Sequence, residues 1–191
     1  MDADGLTFAV ATTAEERVAK RLGLTTVRVG IGVANGVPEG RLVSFGLAGS
    51  LGELGVGDVL DATRVVDETG TTLWEGPGLG VRGARAGVVL GGDVLIHDAA
   101  ERARLREASG ADVVDMESAV LARSGRLAGV VRAVSDDADS VIEGVDTTVH
   151  LDGRTNVAGL LRWVATRRGN AFRSMQDALK ALNALERAVA A

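Results

Sequence analysis

The stretch VVDMESAVLA, residues 113–122, sets Asp115 and Glu117 on either side of Met116, directly after an apolar run. Acids at such a place have two readings. In the first turn of a helix they complement the helix dipole. Alternatively they form a corner in which a carboxylate accepts the hydroxyl groups of a sugar. RAVSDDAD (132–139) crowds Asp136, Asp137 and Asp139 behind Ser135. Mutual repulsion there can raise one carboxyl's pKa so that it keeps its proton near neutrality; a solvated acidic turn is the structural alternative. TTAEER (12–17) holds two overlapping capping boxes, Thr12 with Glu15 and Thr13 with Glu16, which account for both glutamates without any chemistry. SFGLAGSLGELGVGD (44–58) carries glycines at 46, 49, 52, 55 and 57. Missing side chains let backbone approach a ligand closely, or simply permit tight turns. The spacing matches neither a GxGxxG dinucleotide fingerprint nor a P-loop, which needs Gly-Lys-Ser/Thr.

These groups need elements to bring them together. Apolar, β-rich runs predict strands over 6–12, 25–33, 41–48, 58–66, 84–92, 111–114 and 129–135. Several are continuous rather than alternating, as in strands covered on both faces. Helices are predicted over 13–22, 98–109 and 116–127, so strands and helices interleave as in an α/β fold. The stretch 67–80 reads as a hairpin or loop excursion. Each of the four polar stretches above then follows a strand, and in open α/β sheets sites collect at the carboxyl ends of strands. After Asp152 the pattern is helical only. Val157, Leu160, Leu161 and Val164 share one face; a second stripe runs Phe172, Met175, Leu179, Leu182, Leu185 and Val189 at steps of three or four. RRGN at 167–170 is read as the break between two helices. The expected organisation is one α/β domain over 1–152, with 153–191 a helical extension of the same domain.

Composition narrows the function classes. The chain has 191 residues, 46% hydrophobic and 25% charged, a globular balance with enough length for a sizeable core. Without cysteine, disulfides and thiolate metal sites are excluded. His97 and His150 lie far apart in sequence, so no metal site is expected. The first residues, MDADGLTFAV, lack the apolar core of a signal peptide, and no run of about 20 apolar residues spans a bilayer, so a cytoplasmic location is expected. The net charge of −5 is divided: residues 154–191 carry seven bases against two acids, a net +5, and the other 153 carry 14 against 24, a net −10. A basic tail of this kind meets an anionic surface or pairs with its own acidic body. Nucleic acid is not an expected partner, because the body is acidic and aromatics are only 3%.

Taken together, LVSFGLAGSLGELGVGDVL, GGDVLI, VVDMESAVLA and VVRAVSDDAD follow the order and rough spacing of the nucleoside phosphorylase and nucleosidase superfamily. They resemble in particular its methylthioadenosine/S-adenosylhomocysteine nucleosidase branch. The likeness spans about residues 6–140. The tail, DGRTNVAGLLRWVATRRGNAFRSMQDALKALNAL, resembles that of hopanoid-associated phosphorylases, which act on the lipid-linked adenosine adenosylhopane. The resemblance implies a three-layer α/β/α fold with a central mixed sheet, a homodimer, a purine nucleoside substrate and no cofactor. It implies that Met116 packs on the ribose and that Glu117 binds its hydroxyls. Glu117 also favours the oxocarbenium-like sugar that forms as the base departs. Asp136, beside Ser135, would protonate or hydrogen-bond N7 of the purine, and general acid catalysis of this kind contributes about 10²–10⁴-fold. Glu15, with Glu16 as the neighbouring candidate, would activate water. Backbone at Leu47, Ala48 and Gly49 would line the sugar and nucleophile site. Leu95 and Ile96 would line the purine, where an aromatic residue is common in the family.

The chain departs from the pattern twice. Only NGVPEG (35–40) joins the second and third strands, too few residues for the helix usual there, so the fold is expected in shortened form. Phosphorylases commonly place an arginine just before the central glycine loop; here LVSFGLAG has none, and Arg28 or a neighbouring subunit's arginine would have to stand in. The expected reaction is therefore hydrolysis, with phosphate as the alternative co-substrate of a nucleoside phosphorylase. The basic tail is the candidate for peripheral membrane contact with a lipid-bearing substrate. The reading from another class is a nucleoside-binding or assembly protein of the same fold without catalysis.

Overall fold

Strand β1 (Leu6–Val10), helix α1 (Thr13–Arg21) and strand β2 (Thr26–Arg28) open the chain in the computed structural model, which describes residues 3–92, 98–138, 149–156 and 168–190. A one-turn 3₁₀ segment (Ile31–Val33) precedes β3 (Arg41–Ser50), β4 (Val59–Val66), β5 (Thr72–Glu75) and β6 (Arg85–Gly91). Helix α2 (Ala99–Ser109), β7 (Val113–Asp115), α3 (Ser118–Arg123), β8 (Leu127–Asp136) and α4 (Arg168–Ala190) complete the order.

The eight strands form one mixed sheet. β1 lies parallel between β2 and β3, and β3 runs parallel to β8. β8 pairs antiparallel with β4, β4 parallel with β6, β6 parallel with β7, and β7 antiparallel with the end of β3. Strands β3, β8, β4, β6 and β7 thus hydrogen-bond in a closed circuit. The 67–80 excursion is a hairpin arm, with β5 antiparallel to β4.

Alternation along the central strands sends side chains into two cores. Leu42 and Ala48 of β3 join Val130 and Val134 of β8 beneath α3, which contributes Leu121 and Ala122. Val43 and Phe45 join Phe8, Val131 and Ala133 on the other face, covered by Val18 and Ala19 of α1 and by Ala181, Ala184 and Leu185 of α4. Phe8 and Phe45 meet edge to face at 5.6 Å between ring centroids. A smaller cluster of Leu51, Val66, Leu90 and Leu105 seats α2. Helices therefore cover both faces of a mixed sheet, the α/β/α arrangement, and this explains why the strand runs are apolar throughout.

Three expectations need correction. The run 25–33 is a strand only at Thr26–Arg28; Gly30 and Gly32 take positive φ (77° and 58°) and turn the chain into the 3₁₀ segment. The third helix is shorter than 116–127, occupying Ser118–Arg123 before the chain enters β8. RRGN does not end before α4 begins: residues 168–170 already belong to that helix. The stripe Val157, Leu160, Leu161 and Val164, and His97, lie outside the described residues. Between β2 and β3 the 3₁₀ segment is the only helical element, so the connection is short, as expected.

Candidate active site

Glu15 reaches the site because α1 starts with a capping box. The Thr12 side chain accepts from the Glu15 N–H, and the Glu15 carboxylate turns back to accept from the Thr12 N–H at 2.7 Å and the Thr12 hydroxyl at 2.9 Å. Its other oxygen accepts the Leu47 N–H of β3 at 2.8 Å. A side chain at Gly46 would collide with this carboxylate, since a Cβ there would lie 2.1 Å from Glu15 Oε1 and 2.7 Å from an Arg132 nitrogen. The second capping box does not form. Thr13 donates to the Gly153 carbonyl, and Glu16 pairs with Lys20 and Arg28. Of the two glutamates, Glu15 is the buried one.

The two acids of VVDMES divide their tasks. Asp115 accepts the Ser118 N–H at 3.0 Å, the helix-start role, and also accepts the Ser118 hydroxyl. Glu117 makes no capping bond. Its Oε1 instead accepts the Gly32 N–H at 3.0 Å, so the GIG turn that interrupts the second strand run supplies a donor to this carboxylate. Between the two acids lies Arg132, buried on β8. It donates to Asp115 Oδ2 at 2.6 Å and to the Ser44 hydroxyl at 2.6 Å, and lies 3.5 Å from Glu117 Oε2. Burial pushes the Glu117 carboxyl up to about 7; the Arg132 charge opposes the rise, while Asp115 and Glu15 add to it.

Asp136 sits at the end of β8. The β3–β8 register slips by one residue between Ala48 and Gly49, so that Gly49 faces Asp136 with Ser135 as the extra residue; such bulges re-aim side chains at strand ends. Ser135 Oγ lies 2.7 Å from Asp136 Oδ1, and Arg102 of α2 donates to Oδ2 at 2.5 Å. Burial raises the Asp136 pKa above the ordinary carboxylate value, with Arg102 and Ser135 pulling it back.

All three carboxylates open into one cavity of about 260 Å³, lined also by Thr12, Ile31, Leu47, Ala48, Gly49, Arg102, Asp115, Met116 and Ser135. This lies near the lower end, roughly 300 Å³, of small-ligand sites. Of the ten residues picked from sequence, eight line this cavity; Leu95 and Ile96 lie outside the described residues. Arg28, the candidate stand-in for a phosphate-holding arginine, is engaged with Thr13 and Glu16. Arg102 and Arg132 were not picked, and Asp115 was given no task. A signal existed for both arginines. Arg132 interrupts an apolar strand run, VVRAV, and so needs a buried acid; Arg102 shares the inner face of its helix with Leu105 and Ser109.

Comparison with known proteins agrees with this architecture. Residues 79–162 match the family model of the phosphorylase superfamily. Compared with curated proteins by sequence, the chain has no match. Among solved structures it is similar to the 5′-methylthioadenosine/S-adenosylhomocysteine nucleosidase of Helicobacter pylori, at 17% identity and a TM-score of 0.55 over 96% of this chain and 99% of that one. The corresponding enzyme of Campylobacter jejuni gives 18% and 0.54 over 96% and 99%. Futalosine hydrolase of Helicobacter pylori gives 17% and 0.54 over 95% and 97%. At these identities the likeness is one of architecture, and the protein has the nucleoside phosphorylase and nucleosidase fold.

Proposed function

We propose that the protein hydrolyses the N-glycosidic bond of a purine nucleoside, with adenine as the leaving base. The observation that carries this reading is the meeting of Glu15, Glu117 and Asp136, from three separate chain segments, around Met116 in one cavity. In the reaction, the protonated Asp136 passes its proton to N7 of the base. The C1′–N9 bond breaks and its electron pair leaves with the purine. Glu117 accepts hydrogen bonds from the ribose hydroxyls, and its charge favours the cationic sugar. Water adds to C1′ and gives its proton to Glu15; solvent then returns a proton to Asp136 and removes one from Glu15. Leu47, Ala48 and Gly49 border the sugar, and Leu95 and Ile96 are assigned to the base.

Charge favours water over phosphate. Among the described residues, Glu15, Asp115 and Glu117 line the cavity with one lining cation, Arg102, which already faces Asp136, while Arg132 behind them is taken up by Asp115 and lies 3.5 Å from Glu117. A phosphate dianion entering this surrounding meets repulsion that neutral water does not. The test is incubation with adenosine, methylthioadenosine and adenosylhopane, each with and without phosphate. Free ribose, or its 5′-substituted form, is the expected sugar product; a sugar 1-phosphate appearing only with phosphate identifies phosphorolysis. No base release from any adenosine derivative, with retained nucleoside binding, supports the non-catalytic binding reading instead.

A lipid-linked substrate is favoured by a second observation. The outer half of α4 exposes Phe172, Met175 and Leu179 beside Arg173 and Lys180, an arrangement suited to an anionic bilayer surface. We propose peripheral membrane contact through this face, and a homodimer in which the short β2–β3 connection lies at the subunit boundary. Light scattering at several protein concentrations measures the second; a monomer at all of them removes it.

A further inference from the structure

We propose that Arg102 is the positioning residue for Asp136, clamping the end of β8 to β3 and α2. The inference rests on the nucleosidase reading above, in which Asp136 is the acid. Arg102 is 2% exposed, among the largest fully buried side chains of the protein. Its Nη2 contacts Asp136 Oδ2 at 2.5 Å. Its Nη1 donates to the Ser50 carbonyl at 2.8 Å and to the Asp137 carbonyl at 3.3 Å. One planar group thus joins the last residue of β3, the residue after β8 and the first turns of α2. Arginine suits this work, because its fork of donors is rigid and its charge permanent.

Gly49 makes the clamp sterically feasible. A Cβ at that position would lie 2.7 Å from Asp136 Oδ2 and 3.0 Å from Arg102 Nη1. The sequence thus removes a side chain where the ion pair passes. Among the described residues, the charged groups that bear on Asp136 are Arg102 from α2 and Asp137 beside it in the chain, with Glu15 from α1 and Asp115 and Glu117 from the β7–α3 corner lining the same cavity. Arg102 is the one cation in contact with its carboxylate among the described residues. Burial strengthens the hold of Asp136 on its proton, and Arg102 works against that rise.

The test compares wild type with Arg102→Met, Arg102→Lys and Gly49→Ala by pH–rate profile and by carbon-detected NMR titration of the Asp136 carboxyl. In R102M the lost cation lets Asp136 keep its proton to higher pH. The alkaline limb of kcat and the NMR titration of Asp136 should both move up by about one pH unit or more, with R102K returning both toward wild type. G49A keeps both charges but pushes them apart, and kcat should fall about tenfold or more. An R102M limb and Asp136 titration that coincide with wild type overturn the assignment, as does G49A with wild-type kcat. Should wild type release no base, the nucleosidase reading fails, and the NMR titration alone decides whether Arg102 sets the protonation of Asp136.

Discussion

At Glu117 folding and ligand recognition make opposed demands, because a carboxylate buried among other acids is costly while a sugar calls for it ionised. Its folded-state pKa, about 7, lies above the unfolded value of 4.5. Between those values the folded protein holds more protons than the unfolded chain, so stability falls as pH rises from about 4.5 through 7. The shift corresponds to a cost on the order of 3 kcal/mol above neutrality. Glu117→Gln keeps the shape and removes the charge. It should flatten that decline and leave the variant more stable than wild type at pH 8, as measured by urea midpoints at a series of pH values. The same variant should lose about 10²-fold or more in kcat/KM, and the acid limb near pH 7 in the wild-type kcat/KM profile should vanish with it. A variant that is less stable at every pH would show that Glu117 serves the fold.

Asp115 answers differently to the same chemistry. Its carboxylate is 1% exposed and faces Arg132, equally buried, with Ser118 closing the group. Removing one member of such a pair leaves an uncompensated buried charge, which costs about 3–5 kcal/mol. Asp115→Asn should therefore lower stability by that amount at neutral pH, seen as a falling denaturation midpoint with unchanged slope. A loss below about 1 kcal/mol would mean that Glu117 and Ser44 alone suffice to hold the guanidinium.

Among the elements, the strands were the most readable part of the sequence, because strands covered on both faces leave continuous apolar runs. The misread element is instructive. VRVGIGV has strand composition, yet Gly30 and Gly32 turn it, and the turn presents the Gly32 N–H to Glu117. Periodicity carries no record of that distant partner. Glu15, Glu117 and Asp136 were legible through the resemblance to the nucleosidase branch; the residue pattern alone left each with a structural alternative, a capping box, a helix start or a solvated acidic turn. Arg102 is harder to read: in a helix written AAERARLREAS only its place on the face of Leu105 and Ser109 sets it apart from Arg104 and Arg106. The glycines of β3 were read as room for a ligand or as turns. At 46 and 49 they are room for the protein's own carboxylates and guanidinium groups. Gly46→Ala should thus displace Glu15 and Arg132 together. An activity loss of about 10²-fold, with a folded far-UV spectrum, is the expected outcome; an active G46A enzyme would show that Glu15 can move without consequence and is not the base.

Over the whole molecule the C-terminal stripe separates into two halves with different partners. Leu182, Leu185 and Val189 pack into the α1 face of the sheet, where Arg21 of α1 also pairs with Glu186. Phe172, Met175 and Leu179 remain 60%, 40% and 58% exposed. Single exposed apolar residues are ordinary, but three on successive turns of one helix are not. Charge separates the same way: the tail is net +5 and the body −10, so an anionic surface attracts the end that carries the apolar residues and repels the rest. That asymmetry orients the proposed contact. No helix among the described residues is long and apolar enough to cross a membrane, so the contact proposed is a peripheral one. Replacing Phe172, Met175 and Leu179 together by serine removes apolar surface that contributes little to the core and should leave stability nearly unchanged. Flotation with vesicles containing anionic lipid should then fall at least about tenfold relative to wild type, while neutral vesicles bind neither protein. If wild type and the triple variant float equally, the exposed stripe has no part in membrane contact. If the variant also loses activity on water-soluble nucleosides, the stripe serves the catalytic fold rather than a surface.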